Sequence, residues 1–248
     1  YFNQQPPVQN TNELAGGNPR LGVEEAIHYA VGGEWRPLDF LEFGTTLFYR
    51  DVFSLVNQLN NPRVDDPALG PQVFVNDGKG RSYGAEVLLR HYPNNRFFGW
   101  LAYTLSRSER LNLETNEYEL FQFGQPHILT AIAGYNFPWN IDLAVKFQLV
   151  TGNPFTPVTG GVLDIDDDDY SSIQGPTNSA RNPTFNQLDI RIDKRFVFDT
   201  WMFGIFLDIQ NVYNAANQEA IQYNFDFSEN QPVSGLPFLP SLGVNARW

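Results

Sequence analysis

The 248 residues are 42% hydrophobic and 15% aromatic, include no cysteine and carry a formal net charge of −12. Without cysteine there is neither a disulfide framework nor a thiolate metal site. An acidic chain with no Lys/Arg-rich face argues against nucleic acid as a partner. Mean hydropathy is −0.34, and no segment approaches the roughly 18 consecutive apolar residues of a membrane-spanning helix. So many aromatics in so polar a chain suit strands with one apolar and one wet face.

The start, Tyr1-Phe2-Asn3-Gln4-Gln5-Pro6-Pro7, has no Met, no basic segment and no apolar stretch of a signal peptide. It reads as the product of signal removal or as the interior of a longer protein. Period-two alternation then recurs along the chain. Ile27, Tyr29, Val31 and Trp35 oppose His28, Glu34 and Arg36. Leu41, Phe43, Leu47 and Tyr49 oppose Glu42, Thr46 and Arg50, and Tyr83, Ala85, Val87 and Leu89 oppose Ser82, Glu86 and Arg90. The segments near 97–108 and 127–137 are strand-like, but neither shows a clear apolar side. From Ile141, Leu143, Val145, Phe147 and Leu149 oppose Asp142, Lys146 and Gln148. Leu188, Ile190, Ile192 and Phe196 oppose Gln187, Asp189, Arg191, Asp193 and Arg195. Trp201, Phe203, Ile205, Leu207 and Ile209 oppose Gly204, Asp208 and Gln210. A last short strand sets Leu242, Val244, Ala246 and Trp248 against Ser241, Asn245 and Arg247, which makes nine strands.

Tight links at 36–39, 93–96, 138–140 and 198–200 alternate with long polar ones at about 57–79, 109–124, 152–184 and 215–238. Pro, Asn and Asp supply the turn geometry in the former. Short turn, long loop, short turn is the plan of an outer-membrane barrel, with turns periplasmic and loops extracellular. Most strands span roughly 11–14 residues, close to the ~9–11 that cross a tilted membrane sheet and longer than the ~5–6 usual in globular proteins. Trp35, Phe98, Phe137, Trp139, Phe198 and Trp201 gather near strand ends, where an interfacial girdle belongs. Lys194, the one charge on the apolar face of the clearest strands, lies close to the 198–200 turn, from which it can snorkel outward. The expected fold is all-β: an antiparallel transmembrane β-barrel portion of about nine strands. A soluble β-sandwich or lectin-like domain would explain the alternation, but not the strand length, the loop asymmetry or the terminal Trp248.

Nine strands ending on the periplasmic side must begin outside the cell, whereas a complete single-chain barrel has an even count. On this reading residues 1–23 are an extracellular loop, 24–248 are the strands, and further strands come from elsewhere in the same polypeptide or from another chain.

The candidate chemistry is sparse. The acidic run 164–169 offers Asp164, Asp166 and Asp168 as hard oxygen donors for a cation such as calcium. It departs from an EF-hand at Asp169 and Gly175, and the plainer reading is a solvated loop tip. Arg50, Glu86, Arg90, Asp189, Arg191 and Asp208 line the expected lumen. They read as a binding surface for a polar solute or as cross-strand ion pairs in a water-filled lining. Tyr118, Phe121, Phe123, Tyr223 and Phe225 lie in or beside long loops, where they either contact a ligand or extend strands above the membrane. His28, His91 and His127 have no ligand spacing, and no nucleophile motif surrounds Ser106 or Ser108. Neither an enzyme nor a cofactor is expected.

Several motifs taken in order resemble one family. They are Gly80-Arg81-Ser82-Tyr83-Gly84-Ala85-Glu86, Phe98-Gly99-Trp100-Leu101-Ala102-Tyr103-Thr104-Leu105-Ser106, Phe123-Gly124-Gln125-Pro126-His127 and Val150-Thr151-Gly152-Asn153-Pro154-Phe155-Thr156-Pro157. Asn186-Gln187-Leu188-Asp189-Ile190-Arg191 and Asp208-Ile209-Gln210-Asn211-Val212-Tyr213-Asn214 follow. Across residues 1–248 the chain resembles the C-terminal barrel of TonB-dependent outer-membrane receptors. That resemblance implies the last nine strands of a 22-stranded, plugged barrel in the bacterial outer membrane. It also implies import of a scarce solute driven by the TonB complex, with the plug domain absent from these residues. Leu242, Val244, Ala246 and Trp248 look like the insertion signal read by the barrel-assembly machinery. The implied partners are outer-membrane lipid, the plug and the remaining strands. The alternative is a non-transporting barrel that anchors or docks a surface assembly.

Overall fold

A computed structural model of the chain describes residues 21–63, 72–165 and 169–248. Nine strands follow one another as one antiparallel meander: β1 (Glu25–Leu38), β2 (Leu41–Arg63), β3 (Gln72–Asn94), β4 (Phe97–Asn112), β5 (His127–Phe137), β6 (Ile141–Val150), β7 (Phe185–Val197), β8 (Met202–Gln210) and β9 (Leu239–Arg247). Each pairs with the next, so the sheet has no crossover and does not close on itself. β1 is exposed along its whole length, and β9 is exposed at all but one residue.

The register carries one side-chain parity across the sheet. On the apolar face Leu47 pairs with Ala85 and Ala85 with Leu105, while Ile192 pairs with Leu143 and Leu207. The same register puts Glu42, Arg90, Lys146, Asp189, Arg191 and Asp208 on the opposite, polar face. No apolar residue among those described is fully buried. Among the described residues there is no buried apolar core, and most apolar side chains of the strands stand on one exposed face of the sheet.

The two strands without a clear apolar side are β4 and β5, for a physical reason. Leu101, Tyr103, Leu129 and Ala131 lie on the apolar face, but Phe98, Trp100 and Ile132 lie on the polar one. Phe98 therefore does not join the aromatic girdle expected from sequence. It pairs across the strands with Gly134, and a Cβ there would lie 2.2 Å from the Phe98 ring. Phe206 covers Gly243 and Phe48 reaches Gly84 in the same way. A bare glycine opposite an aromatic lets the ring lie flat on the sheet.

The turns sit at one end of the sheet. Asn95 and Arg96 take positive φ of 47° and 73°, and Trp139 and Asn140 take 65° and 59°. Lys194 turns back to this end, donating to the Trp139 carbonyl and lying 5.2 Å from the Phe196 ring. Phe198 stacks on Trp201 at 4.5 Å beside it.

The other end differs from the sequence expectation. β2 and β3 are 23 residues each, longer than expected. Most of the long links also carry strands: 117–120 on β4, the hairpin Val158–Asp164/Asp169–Gln174, and the hairpin Gln218–Tyr223/Asn230–Ser234. Asn, Asp and Gly hid these strands, because a hairpin wet on both faces needs no alternation.

Gly84 is a close-approach position: a Cβ would lie 2.2 Å from the Leu105 carbonyl oxygen, which is backbone and cannot move aside. Gly84→Ala in the full-length protein is expected to lower stability by about 1–3 kcal/mol, read as the urea midpoint in vesicles. Gly44→Ala, whose nearest neighbour is at 3.8 Å, should leave the midpoint unchanged.

Candidate functional site

Two surfaces carry the polar chemistry: the polar face of the sheet and the crown of hairpins at the long-loop end. On the polar face the charges form short alternating chains. Glu42, 4% exposed, accepts from Arg36 at 2.5 Å and from the Tyr92 hydroxyl at 2.9 Å, with Arg90 at 3.7 Å. Arg191 pairs with Asp193 at 2.8 Å and Asp208 at 3.5 Å, and lies over the Phe206 ring at 4.0 Å. Lys146 faces Asp189 at 3.9 Å, and Arg195 pairs with Asp142 at 2.6 Å.

The six expected lumen residues thus lie on one face but in two groups. Arg50, Glu86 and Arg90 stand on β2 and β3; Asp189, Arg191 and Asp208 stand on β7 and β8. Between them run Thr104, Trp100, Ile132 and Thr130, which carry no charge. Arg50 and Glu86 make no ion pair with any described residue. In the second group the signs alternate and pair, so those charges neutralise one another locally instead of focusing a field on one solute ion.

The loop aromatics divide as well. Tyr118 lies 3.9 Å from the Arg81 guanidinium, while Phe121 meets Phe123 edge-on at 5.4 Å and carries Arg110 at 4.1 Å. At the other hairpins Tyr223 contacts Phe227 at 6.0 Å and Phe225 contacts Tyr170 at 5.6 Å. Between these groups the 152–184 segment is tied down by polar contacts. Asn178 donates to the Leu120 carbonyl at 2.6 Å, and Arg181 donates to the carbonyls of Gly124 and Gly152 at 2.9 and 2.7 Å. Loop segments distant in sequence are thereby held together as one surface.

Asp164 pairs in register with Asp169 at the turn end of its hairpin. Asp166 and Asp168 lie outside the described residues. Among the described residues no three His, Cys, Asp or Glu side chains are grouped to hold a metal ion. Leu242, Val244 and Ala246 pair with apolar-face residues of β8, and Trp248 is 99% exposed.

Asn211 was not singled out from the sequence, although it closes the crown. It is fully buried and takes φ 50°, a left-handed conformation that Asn tolerates. Its amide donates to the carbonyls of Ala215 and Leu236 and accepts from the Ala215 N–H, while its own N–H reaches Asp189. Asn217 repeats the device against both backbone groups of Asn186. Asn-rich stretches after a strand are the available signal; what they bond to is not readable before the fold is known.

Residues 1–212 match the family model described as TonB dependent receptor-like, beta-barrel. No curated protein sequence matches the chain. Among solved structures it is similar to the ferric-catecholate import receptor Fiu of E. coli K12, at TM-score 0.60 and 16% identity, covering 98% of this chain and 31% of that one. It is also similar to the FrpB iron transporter of Neisseria meningitidis, at 0.57 and 16%, covering 90% and 31%. The ferripyoverdine receptor of Pseudomonas aeruginosa gives 0.61 and 13%, covering 91% and 27%. The chain therefore spans under a third of the length of these receptors, and at such identities the likeness shows the fold.

Asn211→Ala removes three side-chain hydrogen bonds at a fully buried position, where each unsatisfied partner costs about 1–3 kcal/mol. Faster hydrogen exchange and proteolysis across residues 212–238 are the expected readouts, with β5–β7 unchanged.

Proposed function

This chain belongs to the TonB-dependent receptor-like β-barrel family, and on that premise we propose that it supplies barrel strands to an outer-membrane receptor that imports a scarce solute. The observation that carries the proposal is the two-faced meander itself. One face is apolar from β1 to β9, the other is ion-paired, tight turns gather at one end and hairpins at the other, and both edge strands lack an outer partner within the sheet. An apolar face this continuous and exposed suits contact with lipid. Its unpaired edges would be closed by further strands, β1 to β9 being the last nine of 22.

The polar face then lines the lumen and meets a plug domain. Mutually paired charges such as Arg191 with Asp193 and Asp208 suit this role, because they remain satisfied whether water or protein lies against them. The crown, held together by Asn178, Arg181 and Asn211, takes the solute from outside. Tyr118, Phe121, Phe123, Tyr223 and Phe225 are the side chains that would contact it. Energy from the TonB complex would act through the plug. The similar structures are of a ferric-catecholate receptor, an iron transporter and a ferripyoverdine receptor, so ferric chelates are the first class to test.

Deleting the gene should abolish uptake of one radiolabelled ferric chelate under iron limitation, and disrupting TonB should do the same. Unchanged uptake of ferric chelates, cobalamin and glycans in both strains would sink the transport reading and favour a surface anchor.

A further inference from the structure

One cluster on the apolar face does not suit contact with hydrocarbon alone. Across β2, β3 and β4 the rungs run Leu47–Ala85–Leu105, then Tyr49–Tyr83–Arg107, then Asp51–Arg81–Glu109. The small Ala85 between two leucines leaves a notch, part of a groove of about 630 Å³ with Arg81 and Arg107 also in its lining. Above the notch Tyr49 and Tyr83 stack at 6.2 Å. From Leu47 to Asp51 the three rungs span four residue rises, roughly 13 Å at about 3.3 Å per rise. Apolar floor, aromatic collar and cationic rim thus follow in the order of an amphiphile's own parts.

The rim is organised by a buried carboxylate. Glu109 is 2% exposed and accepts the Nε–H of Arg81 on one oxygen and that of Arg107 on the other, both at 2.6 Å. Tyr118 lies over Arg81 at 3.9 Å. Each guanidinium is fixed through its Nε, and no described residue accepts a hydrogen bond from the terminal nitrogens of either. Two fixed forks side by side match the oxygens of a phosphate. Asp51, which accepts from the Tyr49 hydroxyl at 3.1 Å, makes the set of four charges neutral. Recognition would therefore come from fork geometry and not from bulk charge.

We propose that this groove binds one anionic phospho-lipid of the outer leaflet, with an acyl chain in the Ala85 notch and a phosphate on Arg81 and Arg107. The proposal rests on the apolar face being the lipid-facing one, and it adds a specific lipid site to that face. Glu109 acts as a positioning residue by presenting the two arginines.

Native mass spectrometry of the full-length protein in non-ionic detergent, titrated with diphosphoryl lipid A, tests it. Wild type should retain one lipid A, Arg81→Gln/Arg107→Gln should bind about tenfold more weakly, and Arg195→Gln on the polar face should bind as wild type. Dephosphorylated lipid A should bind as weakly as the double variant. Equal binding by the double variant or by the dephosphorylated lipid would overturn the proposal, as would full displacement of lipid A by equimolar inorganic phosphate. If the double variant does not fold, Arg107→Gln alone, whose side chain is 57% exposed, should weaken binding, and wild-type affinity there overturns the site. Failure of the outer-membrane reading would look different: the native protein would be missing from the outer-membrane fraction.

Discussion

Antiparallel pairing that keeps one side-chain parity through the body of the sheet, with register shifts confined to the turn ends of β1–β2 and β3–β4 and to the outer reaches of β2–β3, is the constraint from which the rest of this structure follows. Because side chains alternate strictly, fixing Ile192 opposite Leu143 and Leu207 also fixes Arg191 opposite Ala144 and Asp208. A slip of one residue would put Asp189, Arg191 and Asp193 among leucines and valines, and the polar side chains would lose their partners. Among the described residues there is no buried apolar core to correct such an error. Register is held instead by cross-strand detail: Phe98 over Gly134, Phe206 over Gly243, and the tight approach at Gly84.

The same constraint shapes the two ends. At the turn end, left-handed Asn95, Arg96, Trp139 and Asn140 reverse the chain within a few residues. At the hairpin end the chain leaves the sheet for long excursions and needs polar anchors to return in register. Asn211 bonds backbone on both sides of the β8–β9 excursion, Asn217 ties that excursion to Asn186 on β7, and Asn178 and Arg181 tie the 152–184 segment to the backbone of Leu120, Gly124 and Gly152. Charges on the apolar face are confined to the ends. Lys194 returns to the turn, while Arg107 lies level with the tyrosine stack and Asp51, Arg81 and Glu109 lie beyond it.

Much of this was legible because alternation is local. β6, β7 and β8 each show their apolar side over ten or so residues, and the tight turns announce themselves through Pro, Asn and Asp. β4 and β5 did not reveal their sides, since Phe98, Trp100 and Ile132 put apolar weight on the polar face. The outer reaches of β2 and β3 hide for the opposite reason: their sequence, rich in Asn, Asp, Gly and Pro, has no alternation to mark a strand. The crown was the least legible part. Tyr118 and Phe121 were visible as loop aromatics, but their pairing with Arg81 and Arg110, and the role of Asn211, depend on contacts between segments far apart in sequence.

In the proposed receptor one face of this sheet meets lipid while the other lines a lumen. This chain contains no cysteine, so single substitutions report cleanly within it. Spin labels placed by Phe203→Cys through Ile209→Cys along β8, in the full-length protein in its native membrane, would report oxygen and aqueous-nickel accessibility at successive positions. Oxygen accessibility should peak at 203, 205, 207 and 209 and nickel or protein contact at 204, 206 and 208. Equal accessibility on both parities, or nickel access at all seven positions, would contradict a lipid-facing and a lumen-facing side.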